Sequence, residues 1–215
     1  GQSPALAFNS IISFVVNCNL QHYSGESGAT YFTQHFVFMF LQFVSAATGI
    51  AAAVVLFKAF RDKTTTSLGN FWVFFTRSIT RLLLPLSVVV AIILAFNGTT
   101  TSYEGKDQII SLQGDTVSVS RGPAASFVAI KHLGTNGGGW FGVNGSHPIE
   151  NPNYLTNMVE VISQVIIPIA MIFAFGYFIR RKKMAWVIFG IMTLGMILLL
   201  VPTVISETGG SPAIA

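Results

Sequence analysis

Four long apolar stretches and two short ones alternate with polar segments along this chain, and their lengths sort them into two kinds. Residues 31–57 carry no formal charge, and a bilayer core of roughly 30 Å needs only about 20 residues of helix, so this stretch can span with tilt. A second span is expected within 71–96, beginning as an interfacial segment because Arg77 and Arg81 can snorkel to the headgroups. Residues 153–179, interrupted by Pro168, and 184–205 complete the set. By contrast 4–16 and 123–133 are apolar over only about a dozen residues, too short to cross. Pro123 suits a helix's first turn, where no N–H bond is lost. Residues 97–122 are polar and rich in Gly, Ser and Thr, an external loop with room for a short hairpin.

Composition agrees with a membrane chain. Residues are 52% hydrophobic and 9% charged, with a mean hydropathy of +0.64, where a soluble domain carries about a quarter charged residues. The net charge of +4 suggests a nucleic-acid partner only until its placement is read. Lys58, Arg61, Lys63, Arg77 and Arg81 form one basic group, and Arg180, Arg181, Lys182 and Lys183 a second. Seven acids, among them Glu26, Glu104 and Glu150, lie outside both. Such asymmetry puts loops 58–70 and 180–183 in the cytoplasm and the polar loops outside. Cys18 is the sole cysteine, so no intrachain disulfide forms. Both ends stop abruptly, as expected of a fragment of a longer protein.

The short stretches belong to an internal repeat: a short re-entrant helix, a polar loop, then a span ending in a basic loop. It occurs at 4–61 and again at 123–183. The second loop holds Leu133-Gly134-Thr135-Asn136-Gly137-Gly138-Gly139. Glycine reaches positive φ without a clash, which lets neighbouring carbonyls turn toward one axis, and rings of carbonyls replace the water shell of potassium in channel filters. The repeat aligns Asn17-Cys18-Asn19-Leu20-Gln21 with the loop beginning at Gly134. Each follows a helix C-terminus, the negative end of a dipole. Neutral oxygens suit a weakly hydrated monovalent ion, whereas magnesium or calcium would bring carboxylates. The candidate ion-binding residues are therefore Asn17, Cys18, Asn19, Gln21, Thr135, Asn136, Gly137 and Gly138. Glu26 and Glu150 either draw cations to the outer mouth or bond to loop amides; Pro168 marks a break in the third span or merely bends it. A glycine run is more often a plain turn. The absence of a Gly-Lys-Ser/Thr ending argues against a phosphate loop, and His22, His35, His132 and His147 lack metal-ligand spacing.

These residues resemble a known family. Gln21-His22-Tyr23-Ser24-Gly25-Glu26, Ser45-Ala46-Ala47-Thr48-Gly49, Ser67-Leu68-Gly69-Asn70, Ala129-Ile130-Lys131, the Gly134–Gly139 run, Ser146-His147-Pro148 and Glu150-Asn151-Pro152 are together similar to the potassium-binding subunit family of the Kdp potassium-transporting ATPase. The resemblance implies an all-α membrane fold of four span–loop–span units around a pseudo-fourfold filter. Residues 1–62 would be the loop and second span of the second unit, 63–206 the third unit with the following loop and span, and 207–215 an external tail. It also implies a non-catalytic subunit in a prokaryotic plasma membrane that binds potassium as substrate, with no organic cofactor. Its partners would be a separate P-type ATPase subunit, small accessory membrane subunits and the bilayer, with no nucleic acid. Filter positions carry over to Asn19 and Gln21, and to Thr135 and Gly137. Cys18 stands where the family usually has Thr, Leu20 where it has Trp, Trp140 and Ile149 where Phe is common, and Phe127-Val128 for a polar pair. These differences bear on fine selectivity, not ion class. Two alternatives are a passive potassium transporter of the Trk/Ktr type and a non-transporting membrane scaffold.

Overall fold

A computed structural model describes residues 2–18, 21–62 and 64–210. Its skeleton is four helices long and apolar enough to cross a membrane: Thr33–Arg61, Phe71–Phe96, Tyr154–Phe178 and Lys182–Thr208. Helix α1 (Pro4–Val15) starts on Ser3, whose hydroxyl accepts the Leu6 amide, with Pro4 in the first turn where its missing N–H costs nothing. The first span begins as a π-helical segment, Thr33–Phe38, and continues as α2 (Met39–Arg61). The second is α3 (Phe71–Ser78), a π-helical Ile79–Leu83 and α4 (Leu84–Phe96). Asn70 caps α3 by accepting the Trp72 and Val73 amides. Strands β1 (Lys106–Ile110) and β2 (Thr116–Ser120) pair antiparallel in the polar loop.

The second short helix, α5 (Ala124–Leu133), has Pro123 just outside it at the N-cap, one position before the first turn. α6 (Tyr154–Phe178) opens with a reciprocal cap in which Asn153 accepts the Leu155 and Thr156 amides while the Thr156 hydroxyl accepts the Asn153 amide. It runs unbroken through Pro168, correcting the reading of Pro168 as a break. A membrane helix tolerates proline when its neighbours satisfy the freed carbonyl. At its end Gly176 meets α7 (Lys182–Thr208), where any Cβ would overlap that of Ala185.

Packing is centred on α5. Nine of its ten residues are buried, Ser126 being the exception, against α2, α4 and α6. Ile130 and Leu133 join Ala46, Ala47, Leu83 and Ile167, and Phe127 joins Phe14, Tyr23, Phe38, Trp140 and Phe141. A helix covered on every side is expected to be apolar nearly all round, and Lys131 and His132 are the exceptions among its buried residues. α7 is the opposite case: Ala185 is its one buried residue, so its apolar surface suits lipid or further protein. α1 likewise leaves Phe8, Ile11 and Val15 exposed.

The polar segments gather at one end. The Tyr31 hydroxyl donates to the Arg121 carbonyl, the Thr99 hydroxyl donates to the Glu150 carbonyl at 2.9 Å, and the Thr100 amide donates to that of Ile149 at 3.2 Å. Arg61 and Arg180–Lys183 line a cleft together, as the charge pattern predicts for one face.

Candidate functional site

Both short helices end in the same way. After α1, the Val16 amide bonds to the Ile12 carbonyl, Asn17 to Phe14 and Cys18 to Ser13; after α5, Gly134 bonds to Ile130, Thr135 to His132 and Asn136 to Lys131. Offsets of four, three and five residues form a Schellman-type ending, in which the residue just after the C-cap turns left-handed. Here that residue is Asn17 (φ 54°) in one copy and Thr135 (φ 64°) in the other. A β-branched residue with positive φ is rare, and such strain costs on the order of 1–3 kcal/mol where it persists. The helix ends therefore set Asn17 opposite Thr135, correcting the sequence alignment by one residue. The candidate position Asn19 lies outside the described residues.

These two positions share one cavity of about 210 Å³, lined by Asn17, Gly134 and Thr135 together with Ala46, Gly49, Leu133, Ile167, Pro168 and Met171. Its walls are apolar apart from the loop starts. Pro168 thus faces the space beneath the two loops. The Asn17 side chain is tied back by the Ser45 hydroxyl, which donates to its Oδ1.

The glycine run is explained from behind. Gly137 has φ 66°, and a Cβ there would sit 2.8 Å from Gln164 Nε2. A Cβ at Gly138 would meet Gln21 Oε1 at 2.6 Å and Lys131 Nζ at 2.7 Å. At Gly139 it would overlap the Glu150 carboxylate. Only Gly137 needs glycine for its dihedral; its neighbours need it so that charged and amide groups can reach the back of the loop.

Glu150 is fully buried. It accepts the Trp140 amide at 2.5 Å and the Phe141 amide at 3.1 Å. This corrects the mouth-charge reading: its carboxylate is an internal brace, while Glu26 lies exposed in its loop. Burial pushes the Glu150 carboxyl up to about 7, with the Phe141 and Trp140 amides pulling the other way. A carboxyl raised in the folded chain stabilises it below the ordinary value of 4.5, and that contribution is lost as pH rises through about 7. Across that window the wild type is expected to lose stability relative to Glu150→Gln; parallel unfolding midpoints at pH 5 and pH 8 would refute this.

Gln21 is buried too, its Nε2 donating to the Gly139 and Tyr23 carbonyls, each at 2.9 Å. Its side chain is thus fully occupied, its Oε1 accepting from the Lys131 ammonium. Cys18 is exposed. Three groups escaped the sequence reading. Gln164 approaches Gly137, and Glu160 lies 3.3 Å from His132 Nε2 with both side chains buried. Lys131, which the sequence offers only within the Ala129-Ile130-Lys131 motif, is fully buried. The available signal was Glu160 and Gln164 four residues apart on an otherwise apolar span, since polar groups within membrane helices are functional by default. Among the described residues no cluster of three or more His, Cys, Asp and Glu is placed to hold a metal ion.

The family described as the KdpA potassium-transporting ATPase A subunit matches residues 1–215. The chain belongs to the KdpA family. Among curated relatives, each named the potassium-binding subunit of a potassium-transporting ATPase, the protein of Flavobacterium psychrophilum is 63% identical over 98% of this chain. That of Flavobacterium johnsoniae is 61% identical over 97%, and that of Caldanaerobacter subterraneus 44% over 94%. The chain spans 36–37% of the length of these relatives. The two helix–loop–span units seen here are thus a KdpA channel-like repeat. Trp140, which stands where the family resemblance leads one to expect Phe, is fully buried between Phe127 and Tyr31.

Proposed function

We propose that this chain contributes two ion-coordinating loops to a potassium-selective pathway, as part of a subunit that binds potassium and passes it to a separate ATP-hydrolysing subunit. The observation carrying this reading is that Asn17 and Thr135, at equivalent points of the two repeats, line a single cavity. Potassium is the substrate. It would exchange water for main-chain oxygens of 17–21 and 135–138, with Asn19, Gln21, Thr135 and Gly137 as the principal positions, helped by loops from the rest of the protein. Helix C-termini on one side supply partial negative charge. Uncharged oxygens bind weakly enough to release the ion onward. The loops would face outward and the basic ends of α2 and α6 the cytoplasm, in the plasma membrane of a prokaryote. Partners would be the ATPase subunit, small accessory membrane subunits and lipid.

The test uses the complete complex carrying the full-length subunit. Potassium is expected to stimulate ATP hydrolysis, with rubidium and ammonium weaker. Gly137→Asp is expected to compress that discrimination, because a side chain at φ 66° is strained and would displace Gln164. An unchanged ion-competition profile in this variant would remove the loop from the ion's path. Selective uptake without ATP hydrolysis would point to a passive transporter, and no selective potassium binding to a scaffold.

A further inference from the structure

Among the described residues Lys131 is the one lysine or arginine that is fully buried, and no carboxylate lies within ion-pair distance of it. An uncompensated buried ammonium is costly, and burial lowers its affinity for the proton, only partly opposed by Glu150. What it touches gives it a task. Its Nζ donates to Gln21 Oε1, lies 3.4 Å from the Tyr23 hydroxyl, and sits over the Tyr23 and Phe127 rings at 5.2 and 5.4 Å. Gln21 in turn donates to the Gly139 carbonyl at 2.9 Å. The main-chain carbonyl of Lys131 accepts the amides of Asn136 (3.0 Å) and Gly137 (3.4 Å). One residue therefore anchors the start of the second loop through its backbone and reaches the first loop through its side chain. That side chain passes directly behind Gly138, in space a Cβ would fill.

We propose that Lys131 is a positioning residue: a tethered ammonium that, through Gln21, locks the two ion-facing loops at a fixed separation and so sets which cation the pathway accepts. It makes no contact with the ion. Its charge is spent on the Gln21 amide oxygen and two aromatic faces, all on the back of the loops, where it stiffens them. A coordinating group must be held within about 0.5 Å by its supporting shell to discriminate. An apolar side chain of equal length would fill the space and leave the loops free to drift. The sequence supplies the two ends of this link 110 residues apart, which is why no local motif announces it.

The inference rests on the potassium reading above, and its test separates the two. In the complete complex, Lys131→Met is expected to raise half-saturating potassium about tenfold, as befits loss of one charge-assisted hydrogen bond. The rubidium-to-potassium ratio is expected to move toward one, while the maximal rate stays within about twofold of wild type. Gln21→Met removes the same link from the other side and is expected to reproduce the shift, and the double variant to be no worse than either single. A wild-type complex unresponsive to potassium defeats the functional reading. A responsive wild type with an assembled Lys131→Met of unchanged ion preference defeats the brace. Additive effects in the double variant defeat it too, since two independent packing losses would sum. Failure of both single variants to assemble marks the pair as a folding element only and likewise overturns it.

Discussion

Gly139→Ala is expected to destabilise the protein by about 2–6 kcal/mol. The new Cβ would lie inside the Glu150 carboxylate, overlapping Cδ and both oxygens. Glu150 cannot swing aside freely, because it is fully buried and its oxygen holds the Trp140 and Phe141 amides. Overpacking a tight site costs roughly 1–3 kcal/mol, and a buried amide left without an acceptor roughly 1–3 more. Gly142→Ala provides the control three residues on. Its φ of 173° is ordinary extended backbone, no neighbour lies within 4 Å of its Cβ position, and its effect is expected within about 0.5 kcal/mol. Thermal unfolding midpoints of the two variants in detergent measure the contrast. Equal midpoints would mean that Glu150 does not occupy this space.

The distinction between Gly139 and Gly142 is one the chain's pattern does not reveal. Both are simply glycines in a glycine-rich loop. What the pattern does carry is element length. The uncharged run from 31 onward and the dozen-residue limits of the two short helices are local properties. They survive in the structure to within a few residues. Register is harder. Helix ends slide by one position unless the left-handed residue is known, and neither Asn17 nor Thr135 is glycine, the usual marker of such an ending. The direction of a buried side chain is harder still. Glu150 in a polar segment reads equally well as a mouth charge or an amide acceptor, and only the fold behind Trp140 and Phe141 decides between them. Lys131 looks like a helix-end cation until Gln21 is brought against it from the other repeat. In each case the missing information is long-range, carried by contacts between elements far apart in sequence.

Trp140 is where such long-range packing has its largest energetic consequence. Its indole is fully buried, edge-on to Phe127 at 5.4 Å and to Tyr31 at 5.5 Å. Gly25 and Gly122 approach it so closely that a Cβ at either would overlap the ring, and the Gly25 amide donates to the Trp140 carbonyl at 2.8 Å. Trp140→Ala removes the body that three separate segments close upon, and a loss of about 3–5 kcal/mol is expected. Trp140→Phe is expected to cost under about 1.5 kcal/mol. The smaller ring keeps most of the contacts, and the indole N–H it removes finds no acceptor among the described residues. The pairing with Gly25 gives the sharper test. Gly25→Ala alone is expected to cost about 1–3 kcal/mol by overpacking, yet in a Trp140→Ala background the methyl enters the vacated space. The double variant should then be less destabilised than the sum of the singles by at least about 1 kcal/mol. Strict additivity would show that the loop carrying Gly25 does not close on Trp140, and that the first repeat is not packed against the second through this ring.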